Sequence, residues 1–384
     1  MSNIGIVAIG YNRPESMHRL LSSLKAAEYD GDNVPLFISL DNCGDDRVQR
    51  IADAFDWPFG KKTVILHSER LGLRKHILQC GSLLEALDGL VVLEDDIVVA
   101  PGFFLYAKAS VQKYGHNDRI AGISLYNHLW NVNTYAPFQP SLSAYDTYFF
   151  QFAQSWGQVW MKEQWREFTD WYEKNSEGFT KADHLPASIC KWPETSWLKY
   201  HIKYCVEKNK YFVYPYKSLS TCFAESGEHN KRKTYLVQVP LMQGIKRDFD
   251  FPELDNPSAV LYDVFFERVL RESDIPDIDA DSICVDLYCS KASYADKKYV
   301  LTTAELPFMV VRSFGLECRP IEQNVLMNIE GNDIFLYEID LDQKLKKTER
   351  GTKLFRYRYR LFGGTKMMMR IVAENTIQKI RERI

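Results

Sequence analysis

The sequence lacks features that would point to several other classes of protein. It contains no apolar run as long as the about 18 residues that a membrane-spanning helix needs. Its eight cysteines are scattered without a CxxC pair, which argues against a disulfide scaffold and a zinc ribbon. The N-terminus has neither the basic start nor the small-residue cleavage site of a signal peptide. We therefore expect a cytoplasmic protein with reduced thiols.

Charge is distributed unevenly along the chain. The 384 residues carry a formal net charge of -3, but residues 344–384 contain 13 Lys or Arg against 3 Asp or Glu. Leu, Phe, Tyr and Met are interleaved with these cations, as in segments that adsorb to anionic lipid. We predict a basic amphipathic tail that contacts the inner face of the plasma membrane. Packing of the tail on the protein is the alternative, and no motif supports a nucleic-acid partner.

Strand and helix signals alternate along the first hundred residues. Continuous apolar runs predict strands, and the segment after the first strand places Met17, Leu20, Leu21 and Leu24 on one helical face. Because the runs do not alternate in polarity, we expect a mostly parallel sheet that helices cover on both faces. The predicted strands are IGIVAIG (4–10), VPLFISLD (34–41), KTVILHS (62–68) and LVVLE (90–94), and the helix after the third strand is predicted over about 73–87.

The rest of the chain predicts further units. The segment 253–270 begins with a turn and is predicted to continue as a helix, which offers a domain boundary. Short runs between residues 282 and 340 predict a smaller α/β unit. We therefore predict a main α/β domain over residues 1–250, a smaller α/β domain over 251–343 and the basic helical tail over 344–384.

The stretch LVVLEDDIVVAPGFF (90–104) places Glu94, Asp95 and Asp96 where the fourth strand ends. In an open parallel sheet, ligands bind beyond the carboxyl ends of the strands. Adjacent carboxylates repel one another, and burying them without a cation costs stability. Oxygen ligands without a nearby His or Cys pair favour Mn²⁺ or Mg²⁺ over Zn²⁺. We predict a metal site for a phosphorylated ligand; the alternative is an acidic turn that faces water.

Other strand ends carry residues that suit a nucleotide. Asp41 closes the second strand and is suited to bind a base or a ribose, although an Asp in DNCGDD is also a common turn former. Arg13 follows the first strand, and Arg70 and Arg74 flank a glycine after the third. Their guanidinium groups are suited to phosphates, although each Arg also has an ordinary surface role as its alternative.

The order of these motifs resembles that of the GT-A glycosyltransferases. AIGYNRPESMHRLLSSL, ISLDNCG, ERLGLRKHI, LVVLEDDIVVAPGFF, SWGQVW and YPYKSLSTCFAESGEH follow one another within residues 3–230. They resemble the N-acetylglucosaminyltransferase I type and its family 2-like bacterial sugar-transferase relatives. The resemblance implies a GT-A fold, with a Rossmann-like open sheet, for the catalytic domain over residues 1–250. It also implies a nucleotide-sugar donor, usually a UDP-sugar, and Mn²⁺ (or Mg²⁺).

The resemblance implies roles for the residues already singled out. Asp96 would bind the metal ion, which bridges the two phosphates of the donor. Asp95 would contact the ribose or the sugar, and Glu94 would contact the donor sugar or nearby backbone. Arg13 and Asp41 match positions that hold the nucleoside.

Further residues complete the implied site. Arg74 is similar in placement to a basic residue near the donor. His229 lies where relatives have a His close to the diphosphate or the metal, although it is also an ordinary loop residue. Trp156 and Gly157 would shape the sugar pocket, because a flat ring stacks on a pyranose face and glycine allows close approach.

The catalytic base is less well marked. Relatives carry an Asp or Glu beside a Trp at the start of a helix, but here Leu198 follows Trp197. Glu194, at the entrance to the helix predicted from the next residue onward, is our candidate for the base. Its alternative role is that of a first-turn acid favoured by the helix dipole. Asp183 and Asp146 are weaker candidates.

Together, these features predict an inverting, metal-dependent glycosyltransferase that adds a hexosyl or N-acetylhexosaminyl unit to a glycan or lipid-linked acceptor. The expected product is a bacterial surface polysaccharide such as O-antigen or capsule. One alternative is a glycan-binding or assembly subunit with a degenerate site. Another is a sugar nucleotidyltransferase, although its glycine-rich phosphate loop is missing because IGYNRPE has a single Gly.

Overall fold

The computed structural model describes residues 3–180, 184–223, 235–294, 296–343, 345–347, 352–360, 369 and 373. The strands, numbered along the chain, are β1 (Ile4–Gly10), β2 (Leu36–Leu40), β3 (Lys62–Leu66), β4 (Gly89–Glu94), β5 (Ile97–Val99), β6 (Ile120–Ser124), β7 (Trp130–Asn131), β8 (Ala136–Pro137), β9 (Thr147–Phe150), β10 (Gln158–Met161), β11 (Tyr211–Pro215), β12 (Ser220–Cys222), β13 (Leu261–Tyr262), β14 (Ile283–Asp286), β15 (Tyr299–Thr302), β16 (Met309–Phe314) and β17 (Ile334–Glu338). The helices are α1 (Pro14–Lys25), α2 (Arg47–Ala54), α3 (Leu73–Cys80), α4 (Phe103–Tyr114), α5 (Lys162–Asn175), α6 (Ala187–Cys190), α7 (Leu198–Glu207), α8 (Gln323–Leu326) and α9 (Thr352–Tyr359). Short 3₁₀ helices cover Gly81–Ala86 and Ala280–Ser282.

Within the described residues, nine strands form the main sheet in the order β13-β9-β11-β6-β10-β4-β1-β2-β3. The strands from β4 to β3 in this order run parallel, whereas β10 is antiparallel to both β4 and β6. Successive residues of β1 face opposite sides, since Ile6 and Ala8 join one apolar cluster and Val7 and Ile9 join another. Residues of α1, α2 and α4 fill the first cluster, and residues of α3, α5 and α7 fill the second. The predicted class, an open and mostly parallel sheet with helices on both faces, is confirmed.

Helix α1 illustrates how the apolar pattern of the sequence selects the buried face. Pro14 takes the first helical position, where the missing N–H costs nothing. Met17, Leu20, Leu21 and Leu24 recur at helical spacing, and all are buried against the sheet. The helix therefore begins close behind β1 and holds the connecting loop at the carboxyl edge of the sheet.

The helix after β3 is shorter than the sequence predicts. Helix α3 ends at Cys80, and the chain continues as the 3₁₀ helix Gly81–Ala86. Glycine is a weak helix former, and a Cβ at residue 81 would overlap the indole of Trp165. That indole also stacks on Trp160 with 3.7 Å between ring centroids. The end of α3 is thus coupled to the packing of α5, which a local sequence pattern does not reveal.

The C-terminal part of the chain forms a second sheet in the order β14-β15-β17-β16, which confirms the predicted strands there. It has its own apolar core. Buried Glu322, beside α8, ties this sheet to the main one, because the Ser141 hydroxyl donates to its carboxylate at 2.8 Å and the Tyr262 hydroxyl donates to the same oxygen. Burial raises the pKa of Glu322.

The connection between the two sheets differs from the prediction. No helix forms over residues 253–270, all of which the structure describes. The segment contains β13 instead, and β13 pairs in parallel with β9 through Leu261–Phe149 and Tyr262–Phe150. Pairing with a distant strand overrides the local helical spacing. The main sheet therefore extends past residue 250, while the division of the chain into domains stays a prediction.

Helix α9, which lies within the basic tail, packs on the protein. Leu354 of α9 is buried in the core of the small sheet, and the Tyr359 hydroxyl donates to the Tyr135 backbone oxygen at 2.8 Å. Most of residues 344–384 lie outside the described residues, so membrane contact through this tail stays a prediction. No helix in the part of the chain that the structure describes is both long enough and apolar enough to span a bilayer.

Replacing Gly81 by Ala tests the contact at the end of α3. The added methyl group overlaps the Trp165 indole, so we expect the free energy of unfolding to fall by about 1–3 kcal/mol. Urea unfolding followed by fluorescence measures it. Gly102→Ala is the control, because the nearest heavy atom to its new Cβ is 3.6 Å away. Its cost should stay below about 1 kcal/mol, and equal losses in the two variants would contradict the packing argument.

Candidate functional site

Charged groups meet where β1 and β4 end. Glu94 is the last residue of β4, and Asp95 and Asp96 form the turn before β5. Arg13, which follows β1, forms an ion pair with Asp95, and its Nη1 lies 3.3 Å from Asp96 Oδ2. The backbone N–H of Phe223, which follows β12, donates to the Asp96 backbone oxygen at 2.9 Å. Because β1 and β4 are parallel neighbours, their carboxyl ends bring these groups together. We call Arg13, Glu94, Asp95 and Asp96 the acidic edge.

Burial controls the protonation of the acidic edge. It raises the pKa of Asp95 to about 6, and the Arg13 guanidinium opposes that rise. Burial also raises the pKa of Glu94 to about 8, and the neighbouring charges of Asp96 and Asp95 add to the rise. Burial alone would lower the pKa of Arg13, but the two aspartates raise it above its usual value. Burial therefore favours the neutral forms of Asp95 and Glu94, whereas the Arg13 guanidinium favours the ionised form of each.

Tyr11 connects the acidic edge to Arg70. Its backbone makes a hydrogen bond to the Asp95 carboxylate, which lowers the pKa of that group against the effect of burial. Its ring centroid lies 4.9 Å from the Arg70 guanidinium carbon. A cation over an aromatic face is held there by electrostatic attraction. The structure thus places Arg70 next to the acidic edge.

Asp41 binds backbone rather than standing open at the end of β2. Its Oδ1 accepts hydrogen bonds from the backbone N–H groups of Leu71 at 2.7 Å and Asn42 at 2.9 Å, and its Oδ2 accepts one from Gly72 at 2.9 Å. Burial would raise the pKa of Asp41, but these bonds outweigh it, so the pKa lies below its usual range. Asp41 therefore holds the loop that carries Arg70 into α3.

Trp156 and Gly157 lie beside the carboxyl end of β4. Strand β10 is antiparallel to β4 and pairs Gln158 with Val92, so the residues before Gln158 flank the end of β4. Gly157 has a φ of +97°, and a Cβ there would lie 2.6 Å from the Ser220 hydroxyl oxygen. Both the backbone conformation and the close approach of β12 therefore require glycine at this position.

Arg74 and Glu194 line a separate cleft of about 690 Å³ beside α3. The Arg74 guanidinium donates to the Tyr172 hydroxyl and, at 3.0 Å, to the Glu194 backbone oxygen. It also lies over the Tyr200 ring, 4.4 Å from the centroid. Gly72, whose N–H binds Asp41, lines the same cleft. The loop after β3 thus joins the cleft to the strand ends.

Glu194 differs in its surroundings from what the sequence predicts. Helix α7 begins at Leu198, so Glu194 lies in the turn before the helix and not in its first turn. Its carboxylate is exposed, accepting from Lys199 Nζ at 2.6 Å and from the Tyr200 hydroxyl at 3.0 Å. These bonds lower the pKa of Glu194. Among the described residues, no hydrogen bond or ion pair joins Glu194 to the acidic edge.

Other predicted residues contribute little to the described geometry. The Asp146 carboxylate pairs with Lys246 at 2.6 Å and accepts the Asp250 backbone N–H at 2.7 Å, so it ties two loops together. Asp183 and His229 lie outside the described residues.

The acidic edge suits a metal only if the substrate supplies most of the ligands. The described residues contain no group of three or more His, Cys, Asp or Glu that could hold a metal ion. Ions such as Mg²⁺, however, commonly bind one or two carboxylates together with substrate phosphates. Asp96 fits that role, since its side chain is 29% exposed whereas that of Asp95 is 5% exposed and held by Arg13.

Sequence reasoning missed three residues that organise these sites. Tyr11 follows β1 directly, in the same YNRPE loop as Arg13, and this position could have marked it as a candidate. Lys199 and Tyr200 gave no such signal, because their contact with Glu194 depends on the turn before α7.

Comparison with known proteins gives distant structural likenesses. No protein-family model matches the chain, and no curated protein matches it. The mannosyltransferase PcManGT from Pyrobaculum calidifontis, in complex with GDP-Man and Mn²⁺, is 15% identical with a TM-score of 0.30, over 49% of this chain and 50% of that chain. S. aureus TarS 1–349 is 12% identical with a TM-score of 0.34, over 57% of this chain and 59% of that chain. Each alignment spans less than two thirds of the chain it matches.

Replacing Asp41 by Asn tests its hold on the loop. An amide offers one acceptor oxygen where the carboxylate offers two, so we expect a loss of about 1–3 kcal/mol in the free energy of unfolding at pH 7. Because folding lowers the pKa of Asp41, its contribution is present above the unfolded value of about 3.9 and disappears as the pH falls through the folded value. The gap between wild type and variant should therefore shrink below about pH 4.

Urea unfolding at pH 7 and at successively lower pH measures this gap. The control is Asp53→Asn, because Asp53 is exposed on α2 and its substitution should change the free energy of unfolding little at any pH. A cost for Asp41→Asn that does not change with pH would rule out the carboxylate as the source of the stability.

Proposed function

We propose that the protein is a glycosyltransferase that moves a sugar from a nucleotide-sugar donor to a glycan or lipid-linked acceptor. The donor is a UDP-sugar with a hexosyl or N-acetylhexosaminyl unit, and the reaction inverts the anomeric centre with help from Mn²⁺ or Mg²⁺. The product belongs to a bacterial surface polysaccharide such as O-antigen or capsule, made on the cytoplasmic side of the membrane. Its proposed relatives are the N-acetylglucosaminyltransferase I type and family 2-like bacterial sugar transferases.

The observation that carries this proposal is the acidic edge itself. Asp95 and Asp96 follow a parallel strand at the edge where open sheets bind ligands. Arg13 forms ion pairs with both, and Arg70 lies over the ring of Tyr11, whose backbone bonds to Asp95. Carboxylates with adjacent guanidinium groups suit a ligand that combines a cation with phosphates. A nucleotide sugar bound through its diphosphate has this composition.

Each residue of the acidic edge has a separate proposed role. Asp96 would hold the divalent cation, which offsets charge on the departing nucleoside diphosphate when bound. Arg13 keeps Asp95 ionised, so that Asp95 can accept hydrogen bonds from the ribose or sugar. Glu94 would contact the donor sugar or nearby backbone. Arg70 supplies positive charge for the diphosphate.

The flanking residues position the rest of the donor. Trp156 offers a partly exposed indole beside β4, and Gly157 lets the chain approach closely there. Asp41 holds the loop that carries Arg70 and Arg74, and three backbone N–H groups leave about one acceptor position of its carboxylate for a donor group of the nucleoside.

Glu194 is the proposed base for the acceptor. A bond forms between the acceptor oxygen and the anomeric carbon, the bond from that carbon to the phosphate oxygen breaks, and the hydroxyl proton passes to the carboxylate. Lys199 and Tyr200 keep Glu194 ionised, which makes it available to accept a proton, although the lowered pKa also weakens it as a base. Arg74 fixes the backbone of Glu194 in the cleft.

A glycan-binding subunit is the second candidate, and the Arg13 ion pair favours it. Arg13 already neutralises part of the acidic edge, so the charge is balanced in part without a metal. Such a subunit would bind a nucleotide sugar or glycan without turnover, and binding would not depend on Mn²⁺.

Replacing Asp96 by Ala tests the proposed function. The wild type is incubated with Mn²⁺ and a panel of UDP-sugars, with a GDP-sugar for comparison, and released nucleoside diphosphate is measured. We expect Asp96→Ala to lower the release rate roughly a hundredfold or more, because the carboxylate that holds the cation is lost. Asp53→Ala, on the exposed face of α2, should keep the wild-type rate. Equal rates for Asp96→Ala and wild type would overturn the assignment, and binding without release would favour the second candidate.

Replacing Glu194 by Gln tests the base separately. If Glu194 takes the acceptor proton, we expect kcat for transfer to fall by about 10²- to 10⁴-fold while the KM for the donor changes little. The amide can still accept from Lys199, so the fold should persist. Glu173→Gln, at an exposed position of α5, is the control. A variant that transfers sugar at the wild-type rate would exclude Glu194.

A further inference from the structure

A second cavity lies where the main sheet, the small sheet and α9 meet. Its volume is about 340 Å³. The chain after β8 contributes Phe138 and Gln139, the chain after β14 contributes Tyr288, and α9 contributes Tyr357 and residues near it. The Tyr288 hydroxyl donates to the Pro137 backbone oxygen at 3.3 Å, which joins the chain after β14 to β8 at this wall. None of the residues of the acidic edge lines this cavity.

The charge of this cavity is one-sided. Its lining includes Arg319, Arg358 and Arg360, and no Asp or Glu among the described residues lines it. Arg358 donates to the Leu287 backbone oxygen at 2.8 Å, Arg360 donates to Gln139 Oε1 at 2.9 Å, and Arg319 donates to a backbone oxygen of α9. In the part of the chain that the structure describes, none of the three forms a salt bridge with a carboxylate.

Among the described residues, the three guanidinium groups of this cavity therefore have no carboxylate as an ion-pair partner. Each guanidinium has five N–H donors, so the single neutral acceptors described above leave donors for a ligand. Like charges held close together repel one another, and an anionic ligand would remove that repulsion. Carboxylates and phosphates match the fork of a guanidinium better than other common anions.

Aromatic rings supply the other half of the lining. Tyr288, Tyr357 and Phe138 are the aromatic residues among those that line the cavity. The Arg319 guanidinium lies over the Tyr357 ring at 4.1 Å from its centroid, which fixes the orientation of both groups. Rings beside hydrogen-bond donors suit a ligand with an apolar face and a charged substituent, as a pyranose with an acidic group has. The volume lies at the lower end of the range for small-molecule pockets.

We propose that this cavity binds a saccharide unit that carries a carboxylate or a phosphate. The guanidinium groups take the anionic oxygens, and the rings take the face of the sugar. The proposal does not depend on the glycosyltransferase assignment, because binding is measured without donor, metal or turnover.

Ligand-detected NMR titration of the full chain tests the proposal with four probes: glucuronate, glucose 6-phosphate, inorganic phosphate and glucose. We expect at least one of the two acidic sugars to bind about tenfold or more tightly than neutral glucose, because charge-assisted hydrogen bonds to guanidinium are gained. The acidic sugar that binds more tightly shows whether the cavity prefers a carboxylate or a phosphate. Binding of inorganic phosphate at least as tightly as both acidic sugars would overturn the saccharide part of the proposal.

Substitutions locate the binding. The double variant Arg358→Gln, Arg360→Gln should bind the acidic sugar about tenfold or more weakly than the wild type. Arg360 is exposed, so the single variant Arg360→Gln should disturb the fold least, and it should also bind the acidic sugar more weakly. Arg50→Gln removes the same charge from exposed α2 and should leave binding unchanged. Wild-type affinity in both arginine variants would overturn the proposal.

Discussion

The ion pair between Arg13 and Asp95 is the interaction on which the candidate site depends. Asp95 is almost completely buried, and a buried carboxylate without a partner is strongly destabilising. About a quarter of the Arg13 side chain is exposed, so solvent screens the ion pair. Breaking the pair should therefore cost less than the about 3–5 kcal/mol of stability that is typical of a fully buried pair. Arg13 contacts both aspartates, and Asp96 is the more exposed of the two.

The loops around this pair are held by backbone hydrogen bonds. Asp41 fixes the loop after β3, the N–H of Phe223 fixes the backbone of Asp96, and the ring of Tyr11 lies against Arg70. Binding residues on loops are effective when a rigid scaffold positions them. Here the parallel strands end at one edge, so three separate loops share a small region without long insertions.

The sequence predicted the helices and strands whose formation depends on residues close together in the chain. The buried face of α1 and the first four strands follow from apolar spacing, which is set within a few residues. The end of α3 at Cys80 and the strand within 253–270 depend on Trp165 and β9, which are distant in the sequence. The same limit applies to the site: Arg13 and Asp95 were both singled out, but their pairing and the backbone role of Asp41 follow from the three-dimensional arrangement.

Glu322 has a consequence for how the chain can be divided. Its carboxylate accepts hydrogen bonds from the hydroxyl of Ser141, in the loop before β9, and from the hydroxyl of Tyr262, in β13. A truncated chain that stopped before the small sheet would lose this acceptor together with the surface that covers both hydroxyls. A cut between the two sheets is therefore expected to give a fragment that is less stable than the same residues within the intact chain.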